Sequence, residues 1–451
     1  MSGRKAGGAW WLRLPVLAAI IAVFAVAAIA CGDDDDDGDD DGDETPSATE
    51  PAGGETEPAG EAGPLKIGLL FPFTGDLADF GPAFENAANL AVEEITAAGG
   101  VNGMPIEVAR GDDGTAVQTS VEEARRLVEI EGVNALIGPA GSPMVLAVAE
   151  SVTGPNQVLH FTSSGTAPSL TQANDDDYLF RTPISDAAQG SVLADLATEQ
   201  NIDNICSMFI NTAYGQGLND SFVEAFTALG GTVVAEVPIE EQAATYAAEL
   251  GQCGEATTLL AISYPETAGV YLREAVEGNL FETYLFVDGT KSDEQFAGLG
   301  WENFQGFYGT APGALNPREQ GATFEASYVA KYPDSDPTQL PFLRETYDSV
   351  YAVALAAQAA GSNDSTAMRD ALRDVLGAPG TTIVPGEEGW AAAVAALEAG
   401  DDIDYDGAAS GLAMDESGDV LQGAIEIWQI EGEAIVVREV RPFDLSAAEG
   451  G

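Results

Sequence analysis

One pattern, met twice along the chain, limits the fold more than any other feature: a short apolar run, a turn, then apolar residues at helical spacing. Lys66–Phe71 (KIGLLF), Ala135–Gly138 (ALIG) and Val158–Thr162 (VLHFT) read as short buried strands. Between them Val121, Ala124, Leu127 and Val128 share one helical face. The series restarts after RTPISD with Ile205–Ile210 (ICSMFI), Thr232–Val237 (TVVAEV), Thr257–Ser263 (TTLLAIS) and Tyr284–Asp288 (YLFVD). Phe222, Ala225, Phe226 and Leu229 mark a helix of this second half. Strands that alternate with helices form parallel sheets covered on both faces. The chain is therefore expected to be an α/β protein of two doubly wound parallel-sheet lobes, with a ligand cleft beyond the carboxyl ends of the strands.

The segment before this region is of another kind. Arg4, Lys5 and Arg13 precede an uncharged run from Leu14 to Ala30, and small residues close on Cys31, so residues 1–30 read as a signal peptide. Cys31 resembles the lipobox cysteine of a bacterial lipoprotein, with Ala28 where that family usually carries Leu. An uncleaved anchor is the rival reading, because Leu14 to Cys31 is about the minimum length that spans a bilayer, and plain secretion is a third. All three place the remainder outside the cytoplasm. Residues 31–64 form an acidic tether, with fourteen Asp or Glu and no Lys or Arg between Gly32 and Gly63. Such a composition buries too little apolar surface to fold and is expected to stay extended. It serves either as a spacer or simply for solubility. Residues 443–451 are a tail.

Apart from leader and tether, 60 acidic side chains stand against 14 basic ones. That excess argues against nucleic-acid binding, which needs basic patches, and its field disfavours anionic ligands while tolerating zwitterionic or cationic ones. His160 is the single histidine and lies inside an apolar strand, where a core residue is expected rather than a base or metal ligand. No G-x-S-x-G elbow, complete phosphate loop, dinucleotide fingerprint or Cys/His cluster is present. No catalytic residue, cofactor or metal is therefore expected, and an extracytoplasmic enzyme would have to work with carboxylates and hydroxyls alone.

The stretches IGLLFPFTGDLADFGPAFENAANLAVEEITAAGGVNG (Ile67–Gly103), ALIGPAGS, SSGTAPSLT, FRTPISDAAQG, AYGQGLNDSFVEAFTALGG and YDSVYAVALAAQAAGS carry a resemblance. In this order, over Leu65 to about Val440, the chain resembles the branched-chain amino-acid (Leu/Ile/Val-binding-like) type of ABC-transporter substrate-binding protein, with a type I periplasmic binding fold. The resemblance implies lobes that are discontinuous in sequence: 65–185 plus 312–421, and 186–311 plus 422–442. Three hinge crossings would then fall near Pro183, Ala311 and Gly423. It implies that Ser142, Ser164 and Thr166 hold a ligand carboxylate beside helix starts, where helix capping is the alternative role. Phe80 would cover the ligand side chain, or else be a core ring. Tyr214 and Tyr264 follow strands of the second half. Asp288 matches a Glu that holds the ammonium in amino-acid binders of the family, with a shorter reach, and Lys291 stands near enough in sequence to neutralise it. A turn-capping Asp is the alternative.

The function so implied is a lipid-anchored, monomeric solute receptor that closes on a small polar ligand, such as an amino acid, an amide or a small carboxylate. It would deliver that ligand to a membrane permease. A ligand-sensing ectodomain of the same fold is the competing reading. Cys206 begins one strand and Cys253 precedes another that is its neighbour in the doubly wound order, so a disulfide is expected, with two buried thiols as the alternative.

Overall fold

A computed structural model describes residues 63–315 and 319–444. The leader, Cys31, nearly all of the acidic segment and the end of the tail lie outside the described residues. The first lobe is built on an all-parallel sheet of β1 (Lys66–Phe71), β2 (Glu107–Asp112), β3 (Ala135–Ile137), β4 (Leu159–Thr162) and β5 (Leu179–Arg181), in the order β2-β1-β3-β4-β5. The second sheet takes β6 (Asn204–Ile210), β7 (Thr232–Ile239), β8 (Thr258–Ile262), β9 (Thr283–Phe286) and β10 (Tyr308–Gly313), all parallel. A small parallel pair, β11 (Thr381–Ile383) and β12 (Ile403–Tyr405), stands apart. The last strands, β13 (Gln422–Ile430) and β14 (Ile435–Asp444), extend the second sheet to the order β14-β13-β10-β9-β8-β6-β7.

The period of two in β1 shows why helices cover both faces. Ile67, Leu69 and Phe71 pack into the large core with Phe84 and Ala88, while Leu70 points the other way, to Ala124, Leu127, Val133 and Val148. The expected face of Val121, Ala124, Leu127 and Val128 is the one that packs there. In the helix Ala213–Ala228, Phe222 and Phe226 are likewise fully buried. Leu229 departs from the expectation: the helix ends before it, and 49% of its surface is exposed.

The sheet of the second lobe is mixed rather than purely parallel, because β13 runs antiparallel to β10 and β14 antiparallel to β13. Pro312 pairs with Ile425 and Gly313 with Ala424, and Gly423 packs so closely on Ile184 that a Cβ would stand 3.1 Å from that side chain. Cys206 on β6 is joined to Cys253, 47 residues on, with S–S 2.03 Å. Among the described residues no helix is long and apolar enough to cross a membrane.

Candidate functional site

Each central strand ends in a loop on the side where the two lobes meet. Lobe one contributes Leu77 and Phe80 after β1, Ala140–Ser142 after β3 and Ser164 after β4. Lobe two contributes Tyr214 after β6, Tyr264 after β8 and Asp288 after β9. With Phe342 these residues line one cavity of about 20 Å³, room for about one water molecule with the lobes as closely apposed as they are here. Six of the seven expected ligand residues thus share a cavity: Phe80, Ser142, Ser164, Tyr214, Tyr264 and Asp288. Thr166 is fully buried and does not line it.

On the lobe-one side Ser142 Oγ accepts hydrogen bonds from the Thr166 N–H (3.2 Å) and the Ala167 N–H (3.1 Å), so it ties two loops instead of capping its own helix. Ser164 Oγ and Thr166 Oγ1 are buried without a hydrogen-bond partner among the described residues. Beneath them Asp113 is fully buried. Its carboxylate accepts the Ala140 N–H at 3.1 Å and the Thr115 N–H at 2.7 Å. Thr115 Oγ1 in turn accepts the Leu77 N–H at 3.0 Å. Two side chains, Asp113 and Thr115, therefore fix the loops after β1, β2 and β3, and burial pushes the pKa of Asp113 up to about 7.

His160 supports the same floor. Its Nε2 lies 2.7 Å from the Gly138 carbonyl, which can only accept, so Nε2 carries the proton and Nδ1 accepts from Thr153 Oγ1 at 3.0 Å. Burial pushes its pKa down to about 4. The ring is a satisfied core residue, as expected.

The lobe-two wall is aromatic and acidic. The Tyr214 and Tyr264 rings stack with centroids 5.5 Å apart and planes 10° apart. A Cβ on Gly141 would stand 2.6 Å from the Tyr264 hydroxyl, so this approach of the lobes requires glycine. Asp288 is buried, and its Oδ1 accepts from Gln189 Nε2 (2.7 Å) and the Tyr214 hydroxyl (2.9 Å). Lys291 does not neutralise it: the ammonium is bound to Glu426, both groups being buried.

Sequence reasoning missed the neighbour of Asp288. Asp186 opens the helix Asp186–Glu199, has no exposed surface, and neither of its carboxylate oxygens has a hydrogen-bond partner among the described residues. Burial, and then the charge of Asp288, raise its pKa well above the usual carboxylate range, while the neighbouring Thr166 hydroxyl and Arg181 guanidinium act to lower it; burial raises Asp288 as well. Two buried acids side by side, with Gln189 Oε1 also unbonded, form a place that a cation would relieve. The segment FRTPISDAAQG contains Asp186, and an acid at a helix start was the available signal. Phe342 was missed too. Its backbone is left-handed, φ 68°, unusual for a bulky residue and invisible in composition or spacing.

A family model described as periplasmic binding protein matches residues 64–394. The chain belongs to that family. Membership places the binding domain outside the cytoplasm, and the family comprises binding proteins rather than enzymes. Among curated relatives, this periplasmic binding protein is 28% identical over 312 residues to the Leu/Ile/Val-binding protein homolog 1 of Brucella suis biovar 1, covering 68% of this chain and 82% of the relative. Among solved structures it matches LivJ, the branched-chain amino acid transporter substrate binding protein of Streptococcus pneumoniae in complex with isoleucine. There the TM-score is 0.70 at 23% identity, over 85% of this chain and all (100%) of that one. A solute binding protein of an ABC transporter from Rhodopseudomonas palustris BisB5, in complex with 3,4-dihydroxybenzoic acid, matches with TM-score 0.66 at 20% identity, over 84% and 97% of the two chains. At these identities the structural matches establish the fold: type I, two lobes, mixed α/β.

Proposed function

We propose that this protein is the solute receptor of an ABC importer, that it closes its lobes on an α-amino acid, and that it hands the ligand to a membrane permease. The observation that carries the reading is the buried carboxylate of Asp288, which lines the cavity together with the unbonded Ser164 hydroxyl and is backed by Asp186, a second buried acid that does not itself line it. An ammonium suits the first end, and a carboxylate suits hydroxyls and loop N–H groups at the other. The strongly acidic chain favours such a zwitterion over a simple anion. The lobes would be 65–185 plus 312–421 and 186–311 plus 422–442, moving about their crossings, with Cys31 as the acyl anchor.

An aromatic carboxylate is the second reading, favoured by the stacked Tyr214–Tyr264 pair and by the ligand of the Rhodopseudomonas relative. It would require both acids to be protonated. Calorimetry on protein refolded to strip carried-over ligand, against amino acids, amides and small carboxylates, separates the two. Saturable binding of one amino-acid class without turnover is the expected result. Binding of benzoates alone would retire the ammonium role of Asp186 and Asp288, and silence across the panel would return the sensing-ectodomain and enzyme readings.

A further inference from the structure

The two lobes also meet at the rim of the cleft, and there the chemistry is unlike that of the cavity. Asp76, from the loop after β1 in lobe one, is 1% exposed, and its carboxylate is bound by the Thr267 hydroxyl of lobe two. Thr267 sits in the first turn of the helix Pro265–Gly278, whose own N-cap residue, Tyr264, makes no side-chain cap. The Thr267 hydroxyl in turn accepts the Gln242 N–H at 3.0 Å. A buried carboxylate of one lobe therefore holds a first-turn side chain of a helix of the other lobe. Beside it, Ser292 Oγ of lobe two donates to Asp79 of lobe one at 3.0 Å.

The surroundings of these contacts are of one sign. From lobe two, Glu241 faces Asp76, with Glu240 next to it, and its pKa is pushed up to about 7 by burial and then by those two charges. Glu266 is raised by burial and then by Asp76 and Asp79. Glu294 is raised first by Asp79, then by burial and Asp293. The Tyr246 phenol faces Asp76 and Glu241. None of the groups acting on Asp76 is a lysine or arginine. Closing the lobes thus forms specific hydrogen bonds while bringing carboxylates together, an opposition that salt relieves from one side only.

We propose that Asp76 is the latch of lobe closure, holding the Thr267 hydroxyl across the cleft within an acidic rim that makes closure stronger in salt. The proposal rests on the reading that ligand and closure are linked, and its test keeps the two apart. In the full chain, the interlobe distance would be read from spin labels on exposed residues of each lobe, with and without L-leucine as probe. Leucine affinity would be read by calorimetry, both at about 0.05 M and about 2 M NaCl.

Asp76→Ala should shift the distances toward open and weaken leucine about tenfold. Asp76→Asn keeps an acceptor for Thr267 and drops the charge, so it should stay at least as closed as the parent at low salt. Glu241→Gln should flatten the salt response. Distances and affinity unchanged in Asp76→Ala, or closure that weakens with salt, would overturn the latch. If leucine fails to bind at either salt concentration, the amino-acid reading suffers, while the distances in the ligand-free chain still decide the latch.

Discussion

At the scale of single residues, the site is governed by what the two buried carboxylates do when nothing cationic lies between them. Each raises the other's cost of ionisation, so the pair holds protons at pH values where an exposed carboxylate has lost them. An incoming ammonium lowers both pKa values. Binding of an amino acid should therefore release protons in the window between the ordinary carboxylate range and the raised one. Calorimetry in buffers of different ionisation enthalpy would read that release, and no buffer dependence near pH 6 would remove the pair from the site. Asp288→Ala should weaken an amino-acid ligand by roughly 1.5 to 3 kcal/mol, the range for losing a charged hydrogen-bond partner; equal affinity in parent and variant would take Asp288 out of the binding role. Asp288 was legible as a strand-ending acid, but the partner that changes its chemistry was not. Asp186 is remote in sequence and is brought beside it only by the fold.

At the scale of elements, legibility followed apolar runs rather than burial alone: β10, buried and inside the second sheet, was missed because YGTAPG carries no such run. The strands read from the sequence were central ones buried on both faces, and β7, whose half-buried pattern still carries an apolar run. The missed β2 is an edge strand whose Glu107, Val108 and Arg110 are exposed, leaving no apolar run to see. β13 and β14 escaped the parallel-sheet expectation because antiparallel neighbours need no helix between them, so the repeating strand–helix pattern stops before they begin. Leu229 shows the converse limit, since spacing continues a helical face beyond the point where the backbone leaves the helix. The Cys206–Cys253 link ties the interior of β6 to the turn that precedes its neighbour β8. In the chain-entropy account a loop of 47 residues contributes on the order of 4 kcal/mol to stability. Reduction, or a Cys206→Ala and Cys253→Ala double variant, should lower the denaturation midpoint accordingly. Two free thiols in a digest of the untreated protein would dismiss the bridge.

For the whole molecule the acid excess is itself a conformational variable, and its sign can be worked out from the buried groups. Asp113, Glu241 and Glu345 have pKa values pushed up to about 7, each by burial first. A carboxylate raised on folding penalises the folded state fully above that value and progressively less as pH falls toward the unfolded value near 4. His160 runs the other way: held down to about 4 by burial, it begins to penalise the folded state only below its unfolded value of about 6.5. Between pH 8 and 6.5 the carboxylates act alone, so thermal stability should rise as the solution is acidified, then level off where His160 opposes them. Salt should raise stability across the same range, because a chain of net charge -57 repels itself, and the gain should be smaller at pH 6 than at pH 8 because part of the repulsion is already titrated. Melting curves at two pH values and two salt concentrations test this. A midpoint that falls from pH 8 to pH 6 would mean the buried carboxylates are not raised as their burial implies. A salt gain larger at pH 6 would place the repulsion elsewhere than on groups titrating near neutrality. The same reasoning joins stability to binding: a ligand that brings one positive charge to Asp288 offsets its repulsion with the buried Asp186, and an anion of equal size cannot.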